Sequence, residues 1–189
     1  MPESFLGDGL IFEELLPLQW FPGALPEGLE LARLNADNHQ LLGAESTLEE
    51  VRVSEALSKE ESSALVHELQ RLEYKLNVLL RLTADLAAQS KPLPASQRVR
   101  LSARALEWFG AASVKTGGTG LLHLYINRTL PQPLRIPCVV AGERERVQGS
   151  ERIVQLMFRD MSEAVVDMLE KLIFRHHRRR VAGARIAAP

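Results

Sequence analysis

The chain has 189 residues, 46% hydrophobic and 25% charged, a composition that suits a soluble globular protein with a real core and excludes a disordered or collagen-like chain. Its one cysteine, Cys138, rules out an intramolecular disulfide framework. The acidic start MPESFLGDGLIFEELL and the lack of any apolar run of about 18 residues argue against a signal peptide or a membrane span, so a reducing, cytoplasmic setting is expected.

Charge is unevenly spread. The net value is −1, yet Met1 to Ser62 holds 13 acidic and 3 basic residues, whereas Lys171 to Pro189 holds 6 basic and no acidic ones. Either the two ends pair with each other or each faces its own partner. The first predicted element is Leu10 to Phe21 (LIFEELLPLQWF), an apolar stretch whose internal Pro17 suits a short edge strand. Pro22, Gly23 and Pro26 close it.

From Gly28 to Ser90 there is no proline, and Leu, Glu, Ala and Arg dominate, the residues that lose least on entering a helix. Thr47 and Glu50 have capping-box spacing. This predicts a shorter helix over Gly28 to Leu42 and a long one over Leu48 to Gln89, ended by Pro92 and Pro94.

Beyond Pro92 the period becomes alternating. Val99, Leu101, Ala103 and Ala105 alternate with Arg100, Ser102 and Arg104, then the phase slips to Leu106 and Trp108, which implies a bulge or a sharp bend. KTGGTG, 115 to 120, reads as a turn, since it lacks the spacing of a phosphate-binding loop. LLHLYI (121 to 126), two candidates within 133 to 147, and ERIVQLMF (151 to 158) follow, which brings the total to about six strands and suggests a small antiparallel barrel. Cys138 is expected to pack within a strand. From Ser162 the pattern is helical again, with Val165, Leu169, Leu172 and Ile173 on one face expected to cover the barrel.

VRLSARALEWFG, the glycine-rich turn, LPQPLRIPCVVAG and RIVQLMFRDMSEAVVDMLEKLIFRHHRRR together resemble the back two-thirds of a PilZ domain. The resemblance covers Gln97 to Arg180, with Leu10 to Trp20 added as the first strand. It implies an α+β fold: a small six-stranded antiparallel β-barrel with a C-terminal helix, here carrying a long coiled-coil insertion. Barrel segments 1–27 and 92–189 would flank the insertion at 28–91.

Typical PilZ domains bind cyclic di-GMP through an RxxxR arm and a (D/N)xSxxG strand. Arginine forks hold guanine edges and phosphates, and the glycine lets backbone approach. Mapped here, the acidic or amide position is Arg100, the serine is kept as Ser102, and the glycine position is Ala105. No arginine precedes Arg33, so the arm is missing. Arg100 and Arg104 share the RxxxR spacing, which is read as coincidental on a strand, with a rearranged anion site as the alternative. The resemblance therefore implies an atypical domain that does not bind the dinucleotide in the usual way, with a role in bacterial motility, type IV pili or virulence and a protein partner in such a signalling or pilus system.

The helical region is more informative. Leu65, Leu69, Leu72, Leu76, Leu79, Thr83 and Leu86 follow 4-3-4-3-4-3 spacing, a coiled-coil seam. Extended backwards, the register reaches Val51, Leu48, Ala44, Leu41 and Leu34. A helix of about 42 residues would be roughly 60 Å long, far longer than a small barrel is wide, so self-association is favoured over intramolecular packing. Val66, Leu80 and Leu82 widen the apolar face, and Glu68 would oppose Glu73 in a parallel dimer, which favours a homotetramer.

Arg175, Arg178, Arg179 and Arg180 form a basic tail. It reads as a solvated helix end complementing the dipole, with an anion or acidic-partner site as the competing reading. Nucleic acid is disfavoured because no aromatic residues are interleaved for stacking. His176 and His177 lie about 100° apart on a helix, so no metal is expected. No cofactor or catalytic motif is found, and the chain reads as a non-enzyme. The alternative function is a sensor of cyclic di-GMP, another anion or nucleic acid that uses Arg98, Arg100 and the C-terminal arginines.

Overall fold

The computed structural model describes residues 5–7, 9–57, 67–69, 71–76, 78–79, 82–83, 93–110, 114–127, 132–145 and 152–186. Six strands, β1 (Phe12–Pro22), β2 (Ser96–Leu101), β3 (Ala105–Phe109), β4 (Thr119–Leu124), β5 (Leu134–Glu145) and β6 (Arg152–Phe158), close into a barrel in the order β1-β2-β3-β6-β5-β4, every pair antiparallel. Alternation decides which residues turn inward: Val99 and Leu101 meet Trp108 and Leu106 across β2 and β3, and Leu122 and Leu124 do the same on β4. With Leu134, Ile136, Cys138, Val140, Val154 and Leu156 they form a core almost free of solvent. Each such aliphatic side chain contributes about 1.5–3 kcal/mol on burial.

The strand count agrees with expectation, but the partition and one role do not. β1 is no edge strand: it pairs with β2 up to Pro17 and with β4 from Leu18 onward. Pro17 sits where the partner changes. Its carbonyl accepts the Tyr125 N–H at 3.0 Å, so the missing donor interrupts neither ladder. The expected bulge or bend is a chain reversal at 102–104, before Ala105, and it divides the stretch 98–110 between β2 and β3. The region 133–147, expected to hold two strands, holds one. Its Pro137 is tolerated because its carbonyl accepts the Arg159 N–H at 2.8 Å just beyond β6, away from the β4 ladder, and the strand absorbs an irregularity between Val140 and Gly142. At Gly120 a side chain would collide with the Phe21 carbonyl oxygen and lie 2.8 Å from Trp20 Cζ2, so glycine is required there.

The helices also differ from expectation. A single helix, α1, runs unbroken from Gly28 to Leu57, through Gly43 and Thr47, so the capping-box break does not occur. Its first half is packed against the rest of the chain. Leu34, Asn38 and Leu42, spaced by four residues, are 4%, 1% and 2% exposed, and a Cβ at Gly43 would lie 3.6 Å from Met168 Cε on α2 (Glu163–Ile186). Leu34 is buried within its own chain and Leu41 packs against the barrel core, so these two positions of the backward extension are covered without a second copy. Ser162, just before helix α2, accepts the Val165 N–H on its carbonyl and hydroxyl, and the helix buries Val165, Leu169, Leu172 and Ile173 on the barrel as anticipated. Helical backbone recurs at 67–69, 71–76, 78–79 and 82–83.

Candidate functional site

The three motif positions straddle the turn from β2 to β3. The Ser102 N–H donates to the Ala105 carbonyl at 2.9 Å, while its hydroxyl donates to the same carbonyl at 3.3 Å and accepts the Ala105 N–H at 3.2 Å. Both residues are buried. Ser102 therefore spends its polar groups on closing the hairpin, and Ala105 places a methyl group where the nucleotide-binding pattern has glycine.

The arginines beside them are engaged on the outer face of the barrel. Arg100 Nη1 donates to Glu107 Oε2 at 2.9 Å, and Gln155 Nε2 donates to Glu107 Oε1 at 3.0 Å. Arg98 grips Glu13 Oε1 through Nε at 2.9 Å and Nη2 at 2.5 Å, and its guanidinium lies 4.8 Å from the Phe109 ring centroid. Glu13 Oε2 also stands 4.0 Å from Arg100 Nε. Two cations thus face two carboxylates in one ladder. Bare guanidinium forks suit phosphate, whereas forks already neutralised by buried or half-buried carboxylates must break those pairs first. Glu107 and Gln155 were not singled out from the sequence; the only trace is a carboxylate set inside the otherwise apolar strand ALEWF.

The basic tail lies on α2. Arg175 Nη1 donates to Ser46 Oγ on α1 at 2.9 Å, and the Arg178 guanidinium is 5.9 Å from the Phe174 ring centroid. Arg178, Arg179 and Arg180 are exposed. Arg180 lines a cleft of about 210 Å³ together with Glu13, Glu14, His176 and His177, so the acidic start of β1 and the basic end of α2 share one surface. His176 packs on Phe12 with ring centroids 4.6 Å apart. Among the described residues no cluster of His, Cys, Asp or Glu gathers as a metal site. Cys138 is fully buried, donates its thiol to the Ile136 carbonyl, and is pushed far above the usual thiol range by that burial.

Of the seam, Leu69, Leu72, Leu76 and Leu79 stand on helical backbone and are 54–59% exposed; Thr83 is exposed as well. Leu65 and Leu86 lie outside the described residues. What joins α1 to the barrel is a pair of asparagines that the leucine pattern did not reveal. Asn38 Nδ2 donates to the Arg135 carbonyl at 2.8 Å and its Oδ1 accepts the Arg135 N–H at 3.0 Å. Asn35 Nδ2 donates to the Asp160 carbonyl at 3.1 Å, and its Oδ1 accepts the Ser162 N–H at 2.9 Å. Asp37 pairs with the Arg135 side chain, and Asn127 with Glu45 at 2.5 Å. The detectable signal was a polar residue, Asn38, in the stripe of Leu34 and Leu42.

Comparison with known proteins adds to this geometry. A family model described as an atypical PilZ domain, cyclic di-GMP receptor, matches residues 42–186. A solved structure of a pathogenic protein from Xanthomonas campestris, described as a tetrameric PilZ domain self-assembled via a helical bundle, superposes with a TM-score of 0.74 at 27% identity, covering 93% of this chain and 91% of that one. No curated protein matches the chain.

Proposed function

The chain belongs to the atypical PilZ domain family, and from that premise we propose that it is a non-enzymatic regulatory scaffold that self-assembles through the leucine seam and does not hold cyclic di-GMP in the manner usual for PilZ domains. The observation that carries the reading is the exposed row Leu69, Leu72, Leu76 and Leu79. A monomer that leaves such a row in water forgoes about 1.5–3 kcal/mol for each side chain that association would bury. The Xanthomonas protein, described as self-assembling via a helical bundle, supports assembly through helices.

In this reading the barrel, built from 1–27 and 92–189, is the regulatory body and 28–91 is the assembly insertion. The first half of α1 docks on the barrel through Asn35 and Asn38 and so fixes the direction in which the insertion leaves. The sensor reading through Arg98, Arg100 and the tail is disfavoured, because carboxylates occupy the first two and share the surface of the third. A bacterial role in motility, pilus or virulence control follows from the family resemblance.

Replacing Leu72, Leu76 and Leu79 together with Gln tests the proposal. Each buried leucine lost costs roughly 2–5 kcal/mol, so the variant sediments as a monomer while its circular dichroism keeps the β-barrel contribution. A triple variant that still sediments as the assembly refutes the seam.

A further inference from the structure

A groove of about 550 Å³ opens between the segment preceding β1, the β2–β3 turn and α2, within the range of roughly 300–1,000 Å³ typical of small-molecule sites. Its base is firm: Leu6 and Ile173 are 5% and 2% exposed, packed as core residues. Its rim is apolar and uncovered, since Leu10 and Phe174 are 41% and 49% exposed. A chain-like apolar ligand laid along Leu10, Ile173 and Phe174 would remove that surface from water.

The polar lining selects the head group. Arg104 and Lys171 both line the groove, and no ion pair joins either to another described residue, unlike Arg98 and Arg100 on the neighbouring face. Glu170 is the one carboxylate among the described lining residues, so cations outnumber it two to one. The Ser102 hydroxyl is already engaged with Ala105. A dinucleotide, with polar edges around each base and two phosphates, finds few free donors here. A single carboxylate at the end of a hydrocarbon chain matches both the apolar trough and the two cations that line it. We infer that the groove binds a free medium-chain acyl carboxylate, its chain along Leu10, Ile173 and Phe174 and its carboxylate between Arg104 and Lys171. This site is separate from the assembly seam.

The test is calorimetric titration of the full chain with octanoate, decanoate and dodecanoate. One saturable site per chain is expected, with affinity rising about fourfold for each further methylene buried. Decyltrimethylammonium, which has a hydrocarbon chain of similar length and the opposite head charge, should bind at least about tenfold more weakly than decanoate. Arg104→Glu with Lys171→Glu should cost dodecanoate at least about tenfold, and Phe174→Glu, at a half-exposed position, should remove binding. The Leu72, Leu76 and Leu79 variant should bind dodecanoate as the wild type does, which separates this site from the scaffold reading. No saturable binding, equal affinity for both head charges, or loss in the leucine variant but not in the charge-reversed one would overturn the inference. So would capture of phosphatidylglycerol vesicles without a response to free dodecanoate, which would make the groove a membrane-surface site.

Discussion

Asn38 takes the place of a strand. Strand β5 pairs with β4 over Leu134–Val139 but with β6 only from Cys138 onward, so at Arg135 the side facing away from β4 has no β6 residue opposite. The Asn38 carboxamide supplies both missing partners, 2.8 Å from the Arg135 carbonyl oxygen and 3.0 Å from its nitrogen, in a position only 1% exposed. Asn38→Leu conserves volume and deletes both bonds. Each net hydrogen bond contributes about 0.5–1.5 kcal/mol, and each buried group left unsatisfied costs about 1–3 kcal/mol, so after allowance for the apolar gain of leucine the loss should be about 2–4 kcal/mol. For a chain of this size that lowers Tm by roughly 4–16 °C at fixed protein concentration. Thermal unfolding by circular dichroism measures the total, and amide hydrogen exchange at Arg135 localises it. An unchanged Tm with unchanged protection of the Arg135 amide would refute the role assigned to Asn38.

Titration of cyclic di-GMP into the purified chain should give no saturable heat at micromolar concentrations; micromolar or tighter binding would mean that the Arg98 and Arg100 pairs open to ligand. Arg100→Ala leaves the buried Glu107 with Gln155 alone and should destabilise by about 1–3 kcal/mol, less than the 3–5 of a fully buried pair because Arg100 is itself about a third exposed. Adding Glu107→Gln should recover part of that loss in urea unfolding, and strictly additive losses would contradict the pairing. Cys138, buried and held protonated, should resist iodoacetamide at pH 8 until the chain unfolds, whereas labelling at the rate of a free thiol in the folded protein would show that β5 opens.

Alternating and helical periods carry most of the fold. They give the strand count and the covering helix, because the inward residues Leu101, Leu122 and Leu156 and the helical face Val165, Leu169 and Leu172 each follow a local rhythm, but not the division of 98–110 or the continuity of β5. What rhythm does not contain is pairing. Pro17 reads as an edge marker, yet it sits where β1 changes partner from β2 to β4, a fact of register between distant segments. The capping pattern at Thr47 starts no new helix: α1 continues through it, with Gly43 lying beside Met168 of α2. The nucleotide positions Arg100, Ser102 and Ala105 were legible as departures from the PilZ pattern. Their actual occupation by Glu107, Glu13 and the hairpin was not, since Glu107 meets Arg100 across a turn and Glu13 meets Arg98 from 85 residues away. The docking asparagines escaped notice for the same reason: their partners are 97 to 127 residues distant.

The central claim is that the exposed leucines join copies of this chain, and the molar mass of the wild-type protein in solution tests it most directly. Four chains of 21.1 kDa make an assembly of about 84 kDa. Light scattering on the eluting chromatographic peak at micromolar concentration should return that mass, and a single-chain mass across the same concentrations would contradict the account.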